Sequence, residues 1–389
     1  MTIEIHRADL TSDQPEARLA AVTALGGLLA APDTRGGEHD GIVEDLVRFV
    51  RGSVEHPQLS RMSPVFLRRR TPVTPPPDVQ AALTALAHRP DAVEPRPLGL
   101  DGIDLRGADA GQGRWAHARL GNSDLQDADL GGADLRDAHL KWAFLERANL
   151  ASAQLGHANL TNAHLWGADL RRVRAEHAVF WGADLQHAHA EDARLEFADL
   201  HRAMLDHADL RRAQLTFASF NASSLEHADL REAVLRSADL REARLDAADL
   251  TGVRMEKANL SRSRLRDVRL VDAHLRGCEL VNVEAQYAEL RGADLSHAGL
   301  GASDFEYADL RGADLGDAYM YNTRLRRADL GGARLDQANL HSADLTETWG
   351  LEPEQLARAW VYESTRLDPD LARHPVVRAR IRATETRFD

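Results

Sequence analysis

The sequence predicts an all-β fold in which the chain turns at short, regular intervals and stacks on itself. From Leu105 to Leu345 every fifth residue is of core type, 49 times without a slip, and leucine fills 39 of these positions. The residue two places before each such centre is small, and in 37 cases it is alanine. A strict short repeat of this kind is typical of stacked architectures in which each unit contacts only its neighbours.

Each repeat has the pattern of a short strand followed by a turn. In Ala128-Asp129-Leu130 the small and large apolar residues flank a polar one, which is the in-out-in alternation of extended backbone. The two remaining residues are too few for a helix and sufficient for a corner. A helix is excluded because strict spacing by five drifts around a helical surface instead of forming one apolar face.

This Ala-Asp/Asn-Leu-x-x consensus over residues 103–345 resembles the pentapeptide-repeat family. The resemblance implies a right-handed quadrilateral β-solenoid with four repeats per coil, so that 49 repeats make about 12 coils. Residues twenty apart in sequence are then expected to lie above one another in columns. The segments PPPDVQAALTAL at 75–86 and IVEDLVRFV at 42–50 are similar to the helical segment before the repeats in actinobacterial members. The 46 arginines against two lysines suit such a source.

Three segments are expected along the chain: a helical N-terminal segment at 1–98, the repeats at 99–345 and a C-terminal helical segment at 346–389. Terminal coils expose unpaired backbone and apolar core, so both flanks are expected to act as α-helical caps. The predicted N-terminal helices run over 15–31, with Asp13 as cap, over 42–50, and onward from a cap at Asp78. C-terminal helices are predicted over about 353–364 and from 369 or 370 to about 386.

The C-terminal helices have two interpretations. A cap on the last coil is one; the other is a homodimer contact, which the resemblance implies because a C-terminal helical region dimerises family members that act on DNA gyrase. The candidate contacts for either role are Trp360, Val361, Ile381 and Phe388.

Charge in the repeats is acidic overall and one-sided. The chain has a net charge of −13, and residues 99–345 contribute 40 acidic and 30 basic side chains. This balance disfavours direct binding of nucleic acid. One side of the predicted coil presents a candidate acidic interaction ladder, formed by Asp109, Asp129, Asp169, Asp209, Asp229, Asp249, Glu289, Asp309 and Asp329.

The ladder also has two interpretations. The resemblance implies a DNA-like surface, since some family members imitate duplex DNA and occupy the DNA site of type II topoisomerases. Alternatively, aspartate at this position suits the hydrogen bonding of the turn that follows it.

Aromatic and histidine side chains form further columns. A candidate recognition stripe comprises His157, His177, Phe197 and Phe217. A row of His187, His207 and His227 suggests a metal at first sight, but ligands in a straight row do not converge tetrahedrally, so no metal site is expected. The basic cluster Arg68-Arg69-Arg70 is expected in a solvated loop, with contact to an anionic surface as the alternative.

No catalytic or cofactor-binding constellation is found. Phosphate-binding glycine loops, nucleophile elbows and His-Glu-x-x-His helices are missing from the sequence. The single cysteine, Cys278, falls on an inward small-residue position, which suits a reducing cytoplasm, and the longest apolar run is too short to span a bilayer. The sequence therefore predicts a cytoplasmic, non-catalytic scaffold for an unknown protein partner. The alternative is an acidic DNA mimic that binds DNA gyrase or another DNA-handling protein.

Overall fold

A computed structural model describes residues 2–31, 37–54, 74–90 and 97–388, which form two compact units, Met1–Arg194 and Leu195–Asp389. In both units, parallel backbone bridges join residues twenty apart, as between Asp109 and Asp129 in the first and between Asp229 and Asp249 in the second. Because twenty residues are four repeats, each coil has four sides. The expected columns are therefore confirmed within each unit.

The inward and outward positions follow the sequence pattern. Leucine centres and the small residues before them are buried, as at Ala138 and Leu140 in the first unit and Ala233 and Leu235 in the second, all with 0% exposure. The residue between them forms the backbone bridge to the coils above and below. Cys278 is buried in an alanine position, and its thiol lies 2.9 Å from the carbonyl oxygen of Met255.

The corner of each repeat depends on left-handed backbone at the second residue after the centre. Forty non-glycine residues of the described part have positive φ, all at this position and all between 53° and 63°. The left-handed region is sterically costly for side chains branched at Cβ. None of the forty is valine, isoleucine or threonine.

The described residues before the repeats form the helices α1 (Thr2–Asp9), α2 (Pro15–Ala30), α3 (Gly37–Val54) and α4 (Pro77–Ala87). The prediction for α2 is confirmed, α3 is longer than predicted, and α1 was not predicted. The two predicted caps are wrong: Gln14 precedes α2, and Asp78 lies inside α4 with its carboxylate bonded to Arg18 at 2.7 Å. Arg68-Arg69-Arg70 lies outside the described residues.

The N-terminal helices supply hydrogen-bond acceptors to the first coil. The amide nitrogens of Asp104 and Arg114 donate to the carbonyl oxygens of Val54 and Ala87, at 3.1 and 2.9 Å. On the side of the coil between these two residues, the Gln80 side chain bonds to the backbone of Asp109. Its amide nitrogen donates to the backbone oxygen of Asp109 at 2.6 Å, and its oxygen accepts from the Asp109 amide at 3.0 Å. A side-chain amide thus replaces a neighbouring strand.

The segment after the repeats contains α5 (Pro353–Arg358), α6 (Pro369–Arg373) and α7 (Pro375–Phe388), and a two-residue strand β1 (Asp344–Leu345) pairs in parallel with β2 (Arg366–Leu367). The prediction of one helix over 353–364 is wrong, because the chain becomes extended after Arg358. Trp360 instead forms a parallel bridge with Asn339. The segment thereby extends the backbone pairing of the last coil, which a continuous helix could not do.

Gln355 of α5 lies over the side of the last coil that contains Leu330 and Ala333, where its side chain takes the place of a pairing strand. Its amide nitrogen donates to the carbonyl oxygens of Leu330 and Ala333, at 2.9 and 2.8 Å. Each flank therefore uses one glutamine amide to satisfy backbone groups of a terminal coil. These partners offset the free energy that unpaired backbone groups would otherwise lose.

Candidate interaction surfaces

The acidic ladder is interleaved with arginine. In the sequence Asp229-Leu230-Arg231, the aspartate carboxylate accepts three hydrogen bonds from the arginine two residues later. The Arg231 backbone nitrogen, Nε and Nη2 lie 3.2, 2.8 and 2.6 Å from its oxygens. This fork forms because the turn brings the arginine side chain, two residues after the aspartate, back over the side of the coil that carries the aspartate. The fork joins residues two apart in one chain segment, so the sequence Asp-Leu-Arg is sufficient to form it.

The same fork recurs in both units and on more than one side of the coil. It is present at Asp104, Asp134, Asp169, Asp209, Asp229, Asp239 and Asp309. The hydrogen bonds from Arg311 lower the pKa of the Asp309 carboxyl, as those from Arg171 lower the pKa of Asp169, with partial burial opposing both shifts. These carboxylates are ionised but locally neutralised.

Ladder members without an arginine fork still bond within the chain. Asp129 accepts from the Gly131 amide at 2.9 Å and from the Asn149 side chain at 2.8 Å. Asp249 accepts from Thr251, and Asp329 from the Gly331 amide at 3.0 Å. A bond to the backbone nitrogen two residues on is the turn interaction that makes aspartate favourable here. A role for the ladder in binding a partner stays a prediction.

The net charge of this surface is small. In the second unit, the outward and turn positions of the ladder side between residues 209 and 332 hold eight acidic and six basic side chains. Seven coils at ~4.8 Å span about 34 Å, over which each strand of duplex DNA carries about 10 negative charges. A net charge of −2 falls short of one strand by about fivefold. The ladder side therefore does not reproduce the charge of a duplex.

The proposed recognition stripe consists of stacked rings in each unit. His157 and His177 stack at 4.9 Å with an interplanar angle of 2° in the first unit. Phe197 and Phe217 stack at 5.1 Å in the second, yet each remains about half exposed, at 50% and 54%. Exposed phenylalanine pairs held rigidly are an apolar feature that water solvates poorly. Whether the stripe binds a partner remains a prediction.

Two members of the histidine row stack on each other. His207 and His227 lie parallel at 4.9 Å. Among residues 2–31, 37–54, 74–90 and 97–388, no three His, Cys, Asp or Glu side chains are grouped to hold a metal ion. In the same ranges no helix combines the length and apolar character needed to cross a membrane.

The C-terminal candidates make contacts within the chain. The Arg380 guanidinium lies 4.6 Å from the Trp360 ring centre, and Val361 is fully buried. Ile381 is half-buried, while the side chain of Phe388 lies outside the described residues. These contacts fix α7 against the layer that contains Trp360 and β2. A dimer through these residues stays a prediction.

Sequence reasoning missed Gln80 and Gln355, whose side-chain amides bond to backbone groups of terminal coils. A polar residue in a helix gives no periodic signal that distinguishes a backbone partner from a solvent-facing side chain. It also missed the arginine forks, although Asp-Leu-Arg could have been read from the sequence. A cavity of about 620 Å³ among the N-terminal helices was not expected either; it is lined by Arg7, Arg18, Asp45, Phe49 and Asp78 among others.

The family model described as Pentapeptide repeats matches residues 116–150, 153–189, 180–216, 213–252, 258–297, 303–341 and 318–348. The matches cover more than half of the chain, which belongs to the pentapeptide-repeat family. Comparison with curated proteins gives no match.

Solved structures of pentapeptide-repeat proteins are similar to the chain. HetL, described as involved in heterocyst differentiation regulation in the cyanobacterium Nostoc sp. strain PCC 7120, is 30% identical, and the match covers 54% of this chain and 90% of HetL with a TM-score of 0.32. Full-length QnrB1, described as a plasmid-mediated fluoroquinolone resistance protein, is 17% identical, with coverage of 60% and 91% and a TM-score of 0.18. Rfr23 from the cyanobacterium Cyanothece 51142 is 27% identical, with coverage of 32% and 63% and a TM-score of 0.13.

Proposed function

We propose that this protein is a non-catalytic cytoplasmic scaffold whose coil sides bind a protein partner. The proposal includes a right-handed solenoid of about 12 coils, closed by the helices at both ends. Rigid columns place outward side chains at fixed spacing of ~4.8 Å, which suits recognition by shape.

The observation that carries this proposal is the exposed phenylalanine pair, Phe197 and Phe217. A stacked pair, half exposed and fixed by a regular backbone, loses little conformational entropy when a partner covers it. Large aromatic side chains of this kind contribute strongly to protein interfaces. The partner binds at the corner where these rings project.

The test is co-purification at physiological salt with a double variant, Phe197→Ser and Phe217→Ser. Serine is compatible with this corner because Ser237 occupies the same column with φ of 53°. Loss of the pair is expected to weaken capture of the partner by about 30-fold, the effect of removing a dominant contact. Lys257→Ala in the same column is the matched control and leaves capture unchanged. Recovery of no stable partner by the unaltered protein rejects the scaffold.

The second candidate is an acidic DNA mimic that binds DNA gyrase, supported by the acidic ladder and the charge of the repeats. The arginine forks count against it, since they neutralise the ladder locally. A supercoiling assay at micromolar protein separates the two. The mimic requires inhibition of gyrase or protection from fluoroquinolone, and reversal of charge at Asp209, Asp229 and Asp249 must then abolish the effect. The scaffold predicts neither inhibition nor protection.

A further inference from the structure

One column in the second unit is interrupted by glycine. On this side of the coil, the strand positions run Glu279, Gly299 and Tyr319, joined by parallel bridges, and the first turn positions run Val281, Gly301 and Tyr321. Both outward side chains are therefore missing from one coil. The neighbouring coils carry Glu279, Val281, Tyr319 and Tyr321 at these two positions, so the missing pair leaves a slot one coil wide.

The slot has an aromatic wall. Tyr321 stacks on His341 at 5.3 Å with an interplanar angle of 19°, so that His341 covers one face of the tyrosine ring. The opposite face is directed toward Gly301, where an added Cβ would meet no side chain within 4 Å. Tyr319 and Tyr321 are 65% and 57% exposed. The opposite wall of the slot is the aliphatic side chain of Val281.

The dimensions suit one planar group. Val281 and Tyr321 belong to coils two steps apart, which separates their column positions by about 9.6 Å. A planar group midway lies about 4.8 Å from each, close to the 4.9 Å at which Tyr287 stacks on Tyr307 elsewhere in this unit. The slot is therefore the size of one missing ring in a stack.

The charge at the slot is a single carboxylate. Of the twelve outward and turn positions in the four coils from residue 279 to 342, only Glu279 is charged; the others are Gly, Ala, Val, Asn, Ser, Tyr or His. Glu279 is exposed and leans over the slot, since a Cβ added at Gly299 would lie 2.9 Å from its Oε2. This contrasts with the forked carboxylates of the ladder.

We propose that this slot binds the guanidinium of an arginine side chain presented by a protein partner. The inference rests on the proposed scaffold function, because it names the chemistry of one partner contact. A guanidinium is planar, stacks on a tyrosine ring, and donates paired hydrogen bonds to a carboxylate. Tyr321 supplies the ring and Glu279 the carboxylate. Lysine meets only the charge requirement, and a neutral ring meets only the stacking requirement.

The first test measures binding of the tripeptide Ac-Gly-Arg-Gly-NH2 to the full chain by saturation-transfer NMR. The lysine, citrulline and phenylalanine analogues and methyl glucoside serve as competitors. The arginine peptide is expected to bind at least tenfold more tightly than each of them. Equal binding of the lysine peptide, or tighter binding of the phenylalanine peptide or the sugar, overturns the assignment.

Variants locate the binding. Gly301→Phe fills the slot. Within 4 Å, a Cβ at this position would meet only the backbone carbonyl oxygen of Tyr321, at 3.6 Å, so the fold accepts the substitution. It is expected to abolish arginine-peptide binding while thermal stability is retained. Glu279→Gln is expected to weaken binding about tenfold. Ser261→Phe, two coils away in the same column, is the control and leaves binding unchanged. Retained binding in Gly301→Phe overturns the proposal.

Co-purification distinguishes this proposal from the scaffold itself. If the partner is captured equally by the unaltered protein and by Gly301→Phe, the slot is rejected and the scaffold stands. If no partner is captured by either, the scaffold is rejected. Capture that falls in Gly301→Phe but not in Ser261→Phe supports both.

Discussion

Replacement of alanine by glycine at a corner should stabilise this protein, although glycine usually weakens regular structure. Ala222 and Ala247 have φ of 55° and 57°. Left-handed backbone costs a residue with a Cβ about 1–2 kcal/mol, which glycine avoids. Glycine loses about 0.5–1 kcal/mol more than alanine through its greater freedom in the unfolded chain. The net gain is about 0.5–1 kcal/mol for each substitution.

The opposite sign is expected one position earlier in the repeat. Ala151 follows its centre directly and is not among the residues with positive φ. Glycine there gains nothing sterically, so Ala151→Gly should lower the free energy of unfolding by about 0.5–1 kcal/mol. At the corner itself, Ala247→Val should destabilise by about 1–2 kcal/mol, because a β-branched side chain crowds left-handed backbone.

Urea unfolding followed by circular dichroism measures these changes as shifts of the midpoint at constant slope. Ala222→Gly and Ala247→Gly should raise the midpoint, and Ala151→Gly and Ala247→Val should lower it. If glycine shifts the midpoint in the same direction at 151 and at 247, left-handed strain does not govern the corners, and the reasoning fails.

Three further predictions concern the C-terminal layer, the core thiol and the forks. Gln355→Ala should lower the free energy of unfolding by about 1–3 kcal/mol, since the carbonyl oxygens of Leu330 and Ala333 lose their donor; urea unfolding measures it. Burial raises the pKa of Cys278 to about 12, so a thiol reagent at about pH 8 should modify it only as the protein unfolds. The pKa of Asp309 is lowered below 3.8, so the stability from its fork is present above about pH 4 and is lost as pH falls through the folded-state pKa.

Each of these has a contrasting outcome. Gln355→Glu keeps the size of the side chain but removes its donor; if it is as stable as the unaltered protein, the carbonyl bonds are not important. Rapid modification of Cys278 in the folded protein would contradict its burial. For the fork, Asp309→Asn should reduce the difference in stability between about pH 6 and about pH 3. An unchanged difference would show that the fork is not coupled to folding.

Much of the fold could be predicted because the repeat leaves few alternatives. The burial of leucine centres and alanines, and the columns spaced by twenty residues, follow from local alternation together with the family pattern. The helices were predicted less well. Trp360, Val361 and Tyr362 are aromatic and β-branched residues that favour extended backbone, and Trp360 pairs with Asn339 because the last coil offers unpaired backbone. The helix prediction there gave too little weight to this propensity.

The candidate surfaces were predicted by position but not by chemistry. The ladder was identified from the residue before each centre, yet its electrostatic character depends on the residue two places later. Arg231 and Arg311 occupy the first turn position, where the backbone nitrogen and the guanidinium both donate to the same carboxylate. The net charge of −2 follows from composition, whereas the fold decides that the arginines lie against the carboxylates.

By itself, the sequence determined the five-residue period and the inward and outward positions, because alternation and side-chain volume permit one arrangement of such a repeat. The membership of each column came from the resemblance to the pentapeptide-repeat family, which implies four repeats per coil. Tertiary structure decided which of the outward groups are available. Arginines neutralise carboxylates, glutamines complete terminal coils, and two glycines between Val281 and Tyr321 leave a ring uncovered. These features join residues that stacking brings together, and their chemistry depends on distances that periodicity alone does not give.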